Sequence, residues 1–228
     1  MIHQNKKVFG IILVFTTLTV FILMLLSSIA KAAISPIIGS STISNPEGIN
    51  PQVFKLATKA YTHAREMGID KQGILTVIDY SLPSSDRRLW VIDMNNHKIL
   101  YNVHVAHGRD SGMNYATKFS DQPRSLESCI GVIETGDTYS GEHGYSLRLK
   151  GLEQGVNDKM YNRSIVMHSA WYVSQSFLDQ YGRLGRSWGC PALSTDSYKP
   201  IINEIKEGTI IFAYYPDQHW LHTSKFLA

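Results

Sequence analysis

The chain has 228 residues, of which 43% are hydrophobic and 18% are charged, a balance that is typical of a globular protein and excludes a collagen-like or largely disordered chain. Lys6, Lys7 and Lys31 are the only Lys, Arg, Asp or Glu among residues 1–32, so 19 of the 22 bases and all 19 acids lie beyond them. The body of the protein is therefore neutral, and its charge does not support a nucleic-acid-binding domain.

Residues 1–32 have the pattern of an export signal. Lys6 and Lys7 precede an apolar run from Val8 to Leu26, and Ala30-Lys31-Ala32 fits a signal-peptide cleavage site. An uncleaved anchor is the alternative, because the residues from Val8 to Ala30 are enough to cross about 30 Å of hydrocarbon as a helix. Both interpretations predict a domain exported to the periplasm or cell envelope, with a membrane contact only if the leader is retained.

The next segment predicts a linker followed by a helix. Residues 33–49 are rich in Ser, Ile, Pro, Asn and Gly without a clear period, so we expect a linker there and the domain itself at residues 50–228. Asn50 is a plausible N-cap and Pro51 suits a first helical turn. Apolar residues recur at helical spacing as far as Met67, and Gly68 predicts the end of the helix.

Strands are expected to dominate the middle of the chain. Apolar runs predict strands at 74–80, 89–93 and 99–106, and the polar turn at Asn95-Asn96 joins the last two as a hairpin. Further short strands are predicted at 131–134, 145–149 and 164–167. Residues 107–128 are polar and predict a long loop, a type of segment that often carries function.

The last third of the chain mixes helices, loops and a strand. A short helix is predicted at 173–181, a Gly-rich loop at 182–193, and a helix capped by Ser194 or Thr195 that runs to about Lys206. A final strand is predicted at 209–215. Together these elements predict one α+β domain that is rich in strand, with a mixed β-sheet and a few short helices.

The candidate chemical site lies between His168, at the end of an apolar run, and Cys190, in a tight loop. A nucleophilic cysteine needs a base or a cation that favours the thiolate, and backbone amides that stabilise an oxyanion. Histidine suits the base because its ordinary pKa is about 6.5, and the carbonyl of Ser169 could orient it. Gly189 leaves room for a substrate carbonyl to approach the amides of residues 188–190.

Two other interpretations of these residues stay open at this point. Cys129 and Cys190 could form a disulfide, because exported proteins meet an oxidising environment. A metal site is the second alternative, although the chain has neither H-E-x-x-H nor C-x-x-C and its spacings match no ligand template. Its ligands would come from His104, His107, His143, His168 and Cys190.

On these residues the chain resembles the bacterial L,D-transpeptidases. Their signature is a histidine, a spacer and then Ser/Thr-His-Gly-Cys, and this chain has His168-Ser169 followed by Ser187-Trp188-Gly189-Cys190. It resembles more closely a divergent branch, the murein L,D-transpeptidase catalytic domain proteins. The matching segments are 114–120 (NYATKFS), 141–149 (GEHGYSLRL) and 182–193 (GRLGRSWGCPAL), and the resemblance runs from about residue 50 to 217.

The resemblance implies an L,D-transpeptidase-like domain with assigned residue roles. Cys190 would be the nucleophile and His168 its base, while the Ser169 carbonyl would orient His168 and amides around Gly189 would form the oxyanion hole. The donor would be a peptidoglycan stem tetrapeptide, whose acyl group passes through a Cys190 thioester to an amine of a second stem with release of D-alanine. The resemblance implies no metal and no organic cofactor.

The chain departs from the commoner signature around the cysteine. Trp188 replaces the histidine of that signature, and Pro191 follows the cysteine with no arginine beyond Arg186 until the end of the chain. We expect the substrate to be held by Ser187, Trp188, Arg186, Tyr145, Arg148 and His143. Arg148, Arg183 and Arg186 are candidates for a substrate carboxylate, since a guanidinium can bind it bidentately.

Three alternative functions follow from these departures. Hydrolysis of the same thioester would give an L,D-carboxypeptidase. A sortase-like transpeptidase is less similar, because sortases have an essential arginine after the cysteine. A non-catalytic envelope-binding domain would have Cys129 and Cys190 bridged.

Overall fold

An eight-stranded mixed β-sheet organises residues 45–228, the part of the chain that the computed structural model describes. Its strands are β1 (Ile74–Asp79), β2 (Leu89–Asp93), β3 (Lys98–Val103), β4 (Gly131–Gly141), β5 (Gly144–Gly151), β6 (Val166–Ser169), β7 (Ala192–Leu193) and β8 (Ile210–Tyr214). The spatial order is β3-β2-β1-β8-β4-β5-β6-β7. The β1–β8 and β6–β7 pairs are parallel and the others antiparallel, which confirms the predicted strand-rich α+β class.

The predicted leader at residues 1–32 and residues 33–44 of the predicted linker lie outside the described residues. Within residues 45–228, no helix has both the length and the apolar character needed to span a membrane.

Helix α1 (Pro51–Glu66) confirms the first predicted helix. The Asn50 side chain accepts a hydrogen bond from the backbone amide of Gln52 at 2.8 Å, and Pro51 occupies the first turn. One face of the helix packs against β8 and β1. That face carries Val53, Phe54, Ala57, Ala60, Tyr61 and Ala64, all of them buried.

The strands β4 and β5 are longer than the sequence predicts. Their inner halves pack in the core, as predicted, but the pairing continues to Gly141 and Gly144 through polar residues whose side chains are largely exposed. A register shift between Thr135 and Thr138 interrupts the alternation of apolar residues along β4. The outer half of this hairpin therefore has no hydrophobic period that a sequence pattern could detect.

Two short helices flank the segment that contains Cys190. Helix α2 (Gln175–Tyr181) agrees with the prediction, with the Ser174 side chain capping its start and Gly182 ending it in a left-handed conformation. Helix α3 (Tyr198–Ile205) begins three residues later than the predicted caps allow. The Ser194 carbonyl instead accepts the amides of Ser197 and Tyr198 in a turn that precedes the helix.

The C-terminal helix α4 (Gln218–Thr223) has no counterpart in the sequence prediction. It is held by tertiary contacts, because Trp220 is 1% exposed and its indole N–H donates to the buried carboxylate of Glu153 at 3.1 Å. The Ser224 hydroxyl donates to the same carboxylate, and so does the amide of Val132 at 2.7 Å. Glu153 thus anchors the C-terminal segment to the sheet.

Candidate active site

The two shortest strands bring the candidate nucleophile and base together. β6 and β7 pair in parallel with His168 opposite Ala192, and Cys190 lies two residues before Ala192. The amide of Val166, two residues before His168, donates to Cys190 Sγ at 3.5 Å, and the Ser164 carbonyl oxygen lies 3.9 Å from the same sulfur. Cys190 and His168 therefore lie on neighbouring segments at one end of the sheet.

The ring of His168, the candidate base, is oriented by a hydrogen bond. Its side chain is buried, and Nδ1 donates to the Ser169 carbonyl at 2.8 Å, which leaves Nε2 as the nitrogen that can accept a proton. Burial lowers the pKa of His168 below its ordinary value, and the Ser169 carbonyl opposes that shift. The ring of His143, from the turn between β4 and β5, stacks on the His168 ring with centroids 4.3 Å apart.

Cys190 is a buried thiol. Burial raises its pKa, while the Val166 amide and the positive charge of Arg163 oppose the rise. The two shifts thus favour the neutral forms of the Cys190 thiol and the His168 imidazole. The thiol proton would move to His168 as the sulfur attacks a substrate.

The loop that carries Cys190 is held by side-chain hydrogen bonds. Ser187 Oγ donates to the Cys190 carbonyl at 2.6 Å and accepts from the Gly189 amide at 3.1 Å. Ser128 Oγ donates to the Gly189 carbonyl at 3.1 Å. The Gly189 amide is thus engaged within the loop, and the Cys190 amide, which donates to no acceptor in the described part of the chain, is the better placed oxyanion donor.

Position 189 requires glycine for two reasons. Its φ of +119° is a conformation that side-chain-bearing residues rarely adopt. In addition, a Cβ there would lie 2.7 Å from the Glu127 carbonyl oxygen and 3.0 Å from Ile165. Gly189 therefore lets the nucleophile loop pack directly against the loop that contains Glu127.

Arg163 is a site residue that the sequence analysis missed. Its side chain is buried, and its guanidinium donates to the carbonyls of Ser120 and Glu127 and to the sulfur of Cys129 at 3.0 Å. It lies behind Gly189, so it braces the nucleophile loop and puts a positive charge near Cys190. A lone arginine in a polar turn gives no sequence signal for this role.

The structure separates the six predicted substrate-binding residues. Ser187 is buried within its loop, and the partly exposed Tyr145 donates to Asn203 of α3 at 2.7 Å. Arg186 donates to the carbonyls of Arg109 and Gly112 at 2.9 and 3.1 Å. The other three remain available: Trp188 is 73% exposed beside Cys190, His143 stacks on His168, and Arg148 is exposed on β5.

The two cysteines are both free and buried, so the structure gives no support to the disulfide alternative. Burial raises the pKa of Cys129 to about 12, although Arg163 opposes that rise. Within residues 45–228, no three His, Cys, Asp or Glu side chains come together in a way that could hold a metal ion.

A family model described as the L,D-transpeptidase catalytic domain matches residues 45–214. The chain belongs to this family. No curated protein matches it.

Among solved structures, this L,D-transpeptidase domain is similar to three proteins at 13 to 15% identity. An L,D-transpeptidase from Mycobacterium smegmatis has a TM-score of 0.38, with 63% of this chain and 59% of that chain covered at 15% identity. The helical cell shape determining protein Pgp2 from Campylobacter jejuni has a TM-score of 0.45, covering 65% and 49% at 15% identity. Mycobacterium tuberculosis L,D-transpeptidase 1 has a TM-score of 0.36, covering 63% and 62% at 13% identity. The match thus spans about half to three fifths of these structures.

A buried histidine behind the nucleophile loop predicts how the stability of this L,D-transpeptidase domain depends on pH. The side chains of His107 and Arg88 are fully buried; His107 Nδ1 accepts from Arg88 at 2.7 Å, and its carbonyl accepts the amide of Ser187. Burial, and then the charge of Arg88, lower the pKa of His107 to about 4, against about 6.5 in an unfolded chain. Between about pH 4 and 6.5, His107 is therefore mostly protonated in the unfolded state and mostly neutral in the folded state.

We expect the free energy of unfolding to fall as the pH drops from about 6.5 to 4, with His107 contributing about 2 to 3 kcal/mol of that loss. At pH 7.5 the contribution is fully present, because His107 is neutral in both states. Urea unfolding at pH 7.5 and 4.5 measures the difference in the free energy of unfolding between the two conditions. His107→Gln should show a smaller difference, because glutamine cannot take up the proton. An equal difference in the two proteins would contradict the prediction.

Proposed function

We propose that this domain is a cysteine-dependent L,D-transpeptidase that acts on peptidoglycan stem tetrapeptides. The observation that carries the proposal is the arrangement of the pair: His168 is fixed by Ser169 with Nε2 free to accept a proton, and Cys190 lies on the adjoining segment. Membership of the L,D-transpeptidase catalytic domain family supports the same chemistry. The leader-like residues 1–32 support a location outside the cytoplasmic membrane, in the periplasm or cell envelope.

The first half-reaction acylates the cysteine. Cys190 Sγ attacks the carbonyl that precedes the terminal D-alanine, and its proton passes to His168 Nε2. The carbonyl oxygen becomes an oxyanion that the Cys190 amide stabilises. The C–N bond then breaks, His168 returns the proton to the leaving amine, and D-alanine departs from a Cys190 thioester.

The second half-reaction transfers the acyl group. An amine of a second stem peptide attacks the thioester carbonyl, and His168 takes the proton that the amine loses. The C–S bond breaks, the proton passes to sulfur, and the product is a crosslinked pair of stems with a free Cys190 thiol. If water attacks instead, the product is a tripeptide and the protein is an L,D-carboxypeptidase.

The experiment that tests the proposal is mass spectrometry of the protein and its products after incubation with a disaccharide tetrapeptide. We expect release of D-alanine and a transient adduct on Cys190 with the mass of the tripeptide acyl group. A crosslinked dimer supports transfer, whereas tripeptide alone supports hydrolysis. No product and no adduct, together with a bridge between Cys129 and Cys190 in the purified protein, would favour the non-catalytic envelope-binding alternative.

A further inference from the structure

One wall of a cavity of about 230 Å³ is formed by Ser164, Ile165 and Val166. The Ser164 carbonyl oxygen and the Val166 amide of this segment lie 3.9 and 3.5 Å from Cys190 Sγ. The other wall is formed by Tyr139, Arg148 and Tyr161. Two larger cavities, of about 370 and 410 Å³, are lined by residues outside this site.

Arg148 belongs to the same face of the sheet as this cavity. It lies opposite Val166 in the antiparallel β5–β6 pair, so these two side chains point to one side. The opposite face of β5 carries Leu147 and Leu149, which are buried in the core. The register thus places an exposed guanidinium one strand away from the segment that contacts the nucleophile.

Two aromatic rings hold this guanidinium without using its donors. Its central carbon lies 4.4 Å from the ring centroid of Tyr139 and 6.0 Å from that of Tyr161. Stacking on a ring engages the flat face of a guanidinium, so the N–H groups at its edge stay available for a planar acceptor. Among the described residues, no carboxylate forms an ion pair with Arg148, whereas Lys150 on the same strand pairs with Glu134 at 3.1 Å.

The other two arginines considered for a substrate carboxylate are used differently. Arg183 donates to the Leu184 carbonyl at 2.7 Å. Arg186 Nη1 donates hydrogen bonds to the carbonyls of Arg109 and Gly112. Of the three, Arg148 is the one that lines the cavity formed by residues 164–166, and its guanidinium donates to no acceptor among the described residues.

We propose that the cavity lined by Tyr139, Arg148 and Tyr161 is a carboxylate subsite, in which Arg148 binds a carboxylate of the donor peptide while Cys190 attacks the neighbouring carbonyl. The proposal deepens the proposed function and rests on it. Two carboxylates of a stem tetrapeptide could occupy the subsite: the C-terminal carboxylate of the departing alanine, or the side-chain carboxylate of the residue before it. Both present the same acceptor to the guanidinium.

The test compares Arg148→Gln with the native full chain on three peptides. One peptide has both carboxylates free, and each of the others has one of them amidated. We expect Arg148→Gln to raise KM on the free peptide by about 10- to 100-fold, because an ionic hydrogen-bonded pair is lost. The peptide amidated at the bound carboxylate should have a similarly high KM with the native protein, and Arg148→Gln should raise that KM little further. This result would identify the carboxylate that Arg148 binds.

Lys150→Gln is the matched control, since it removes one positive charge from the same strand outside the cavity. It should leave KM within about threefold, as exposed charges contribute little. Arg148→Lys should fall between native and Arg148→Gln, because an ammonium keeps the charge but not the bidentate geometry. An equal loss for Arg148→Gln on all three peptides, or an equal loss for Lys150→Gln, would overturn the subsite.

A binding measurement keeps the subsite testable if the tetrapeptide is not turned over. Calorimetric titration of the free and amidated peptides into Cys190→Ala, with and without Arg148→Gln, reports on the cavity independently of catalysis. A native protein that binds the free peptide through Arg148 but releases no D-alanine would refute the proposed activity and support the subsite. Release of D-alanine with no effect of Arg148→Gln on either KM or binding would support the proposed activity and refute the subsite.

Discussion

Cys190→Ala is expected to abolish release of D-alanine from a stem tetrapeptide, lowering the acylation rate by at least about 1,000-fold. Alanine at this position removes the sulfur that would form the thioester in the proposed reaction. The substitution removes one buried sulfur from a loop whose position depends on Ser187 and Ser128, so the fold should persist. Mass spectrometry of the products and circular dichroism of the variant together measure both effects.

Cys129→Ser is the matched control for this prediction. Cys129 is 4% exposed, and its sulfur contacts the Ser120 carbonyl and Arg163, partners that a hydroxyl can also engage. We therefore expect an active protein in which a thiol reagent labels Cys190 alone. Equal loss of activity in the two single variants would contradict a specific role of Cys190 as the nucleophile.

His168→Ala should lower the rate of D-alanine release by about 100- to 10,000-fold, which corresponds to about 3 to 5 kcal/mol of transition-state stabilisation. The burial of Cys190 raises the pKa of its thiol, so without a neighbouring base little thiolate forms at neutral pH. The native rate should also fall with decreasing pH, because protonation of His168 removes the base. Burial lowers the pKa of His168, so this loss should occur below the ordinary histidine range near 6.5.

His143→Phe distinguishes the role of His168 as the base from that of the His143 ring, which stacks on it. Phenylalanine can keep a stacked ring on His168 but has no titratable nitrogen, so the variant should retain most of the activity. Steady-state rates from pH 5 to 9 for the native protein, His168→Ala and His143→Phe measure these effects. If His143→Phe lost as much activity as His168→Ala, the assignment of the proton transfer to His168 would be wrong.

The parts of the fold that a local pattern encodes could be predicted from the sequence. The Asn50-Pro51 start of α1 and the turn at Asn95-Asn96 both depend on neighbouring residues, and both are found as predicted. Helix α4 is short, and Trp220 is buried by Phe212 and by Glu153, 67 residues away, so its position depends on contacts that a local pattern does not show. The late start of α3 has a similar cause, since a backbone turn at Ser194 replaces the side-chain cap that the residue type suggests.

The same distinction applies to the candidate site. His168 and Cys190 could be proposed from the sequence because cysteine and histidine are residue types that suit a nucleophile and its base, and the Gly-Cys loop marks the cysteine. The roles of Arg163 and the orientation of Tyr145 depend on which chain segments pack together, and that information is not local. The register of β5 against β6 places Arg148 opposite Val166, which residue type alone does not reveal.

The loop that contains Cys190 is anchored more weakly than the rest of the sheet, so activity can be lost before the domain unfolds. Cys190 precedes a two-residue strand at the end of the sheet, so few ladder hydrogen bonds hold it. The His107 carbonyl, the Arg109 amide and the Ser128 hydroxyl form further hydrogen bonds with the loop. Such a segment can open locally at a free-energy cost well below that of global unfolding. Under heat or mild denaturant the enzyme should therefore become inactive first, while β1, β8 and α1 still protect their amides from exchange with solvent.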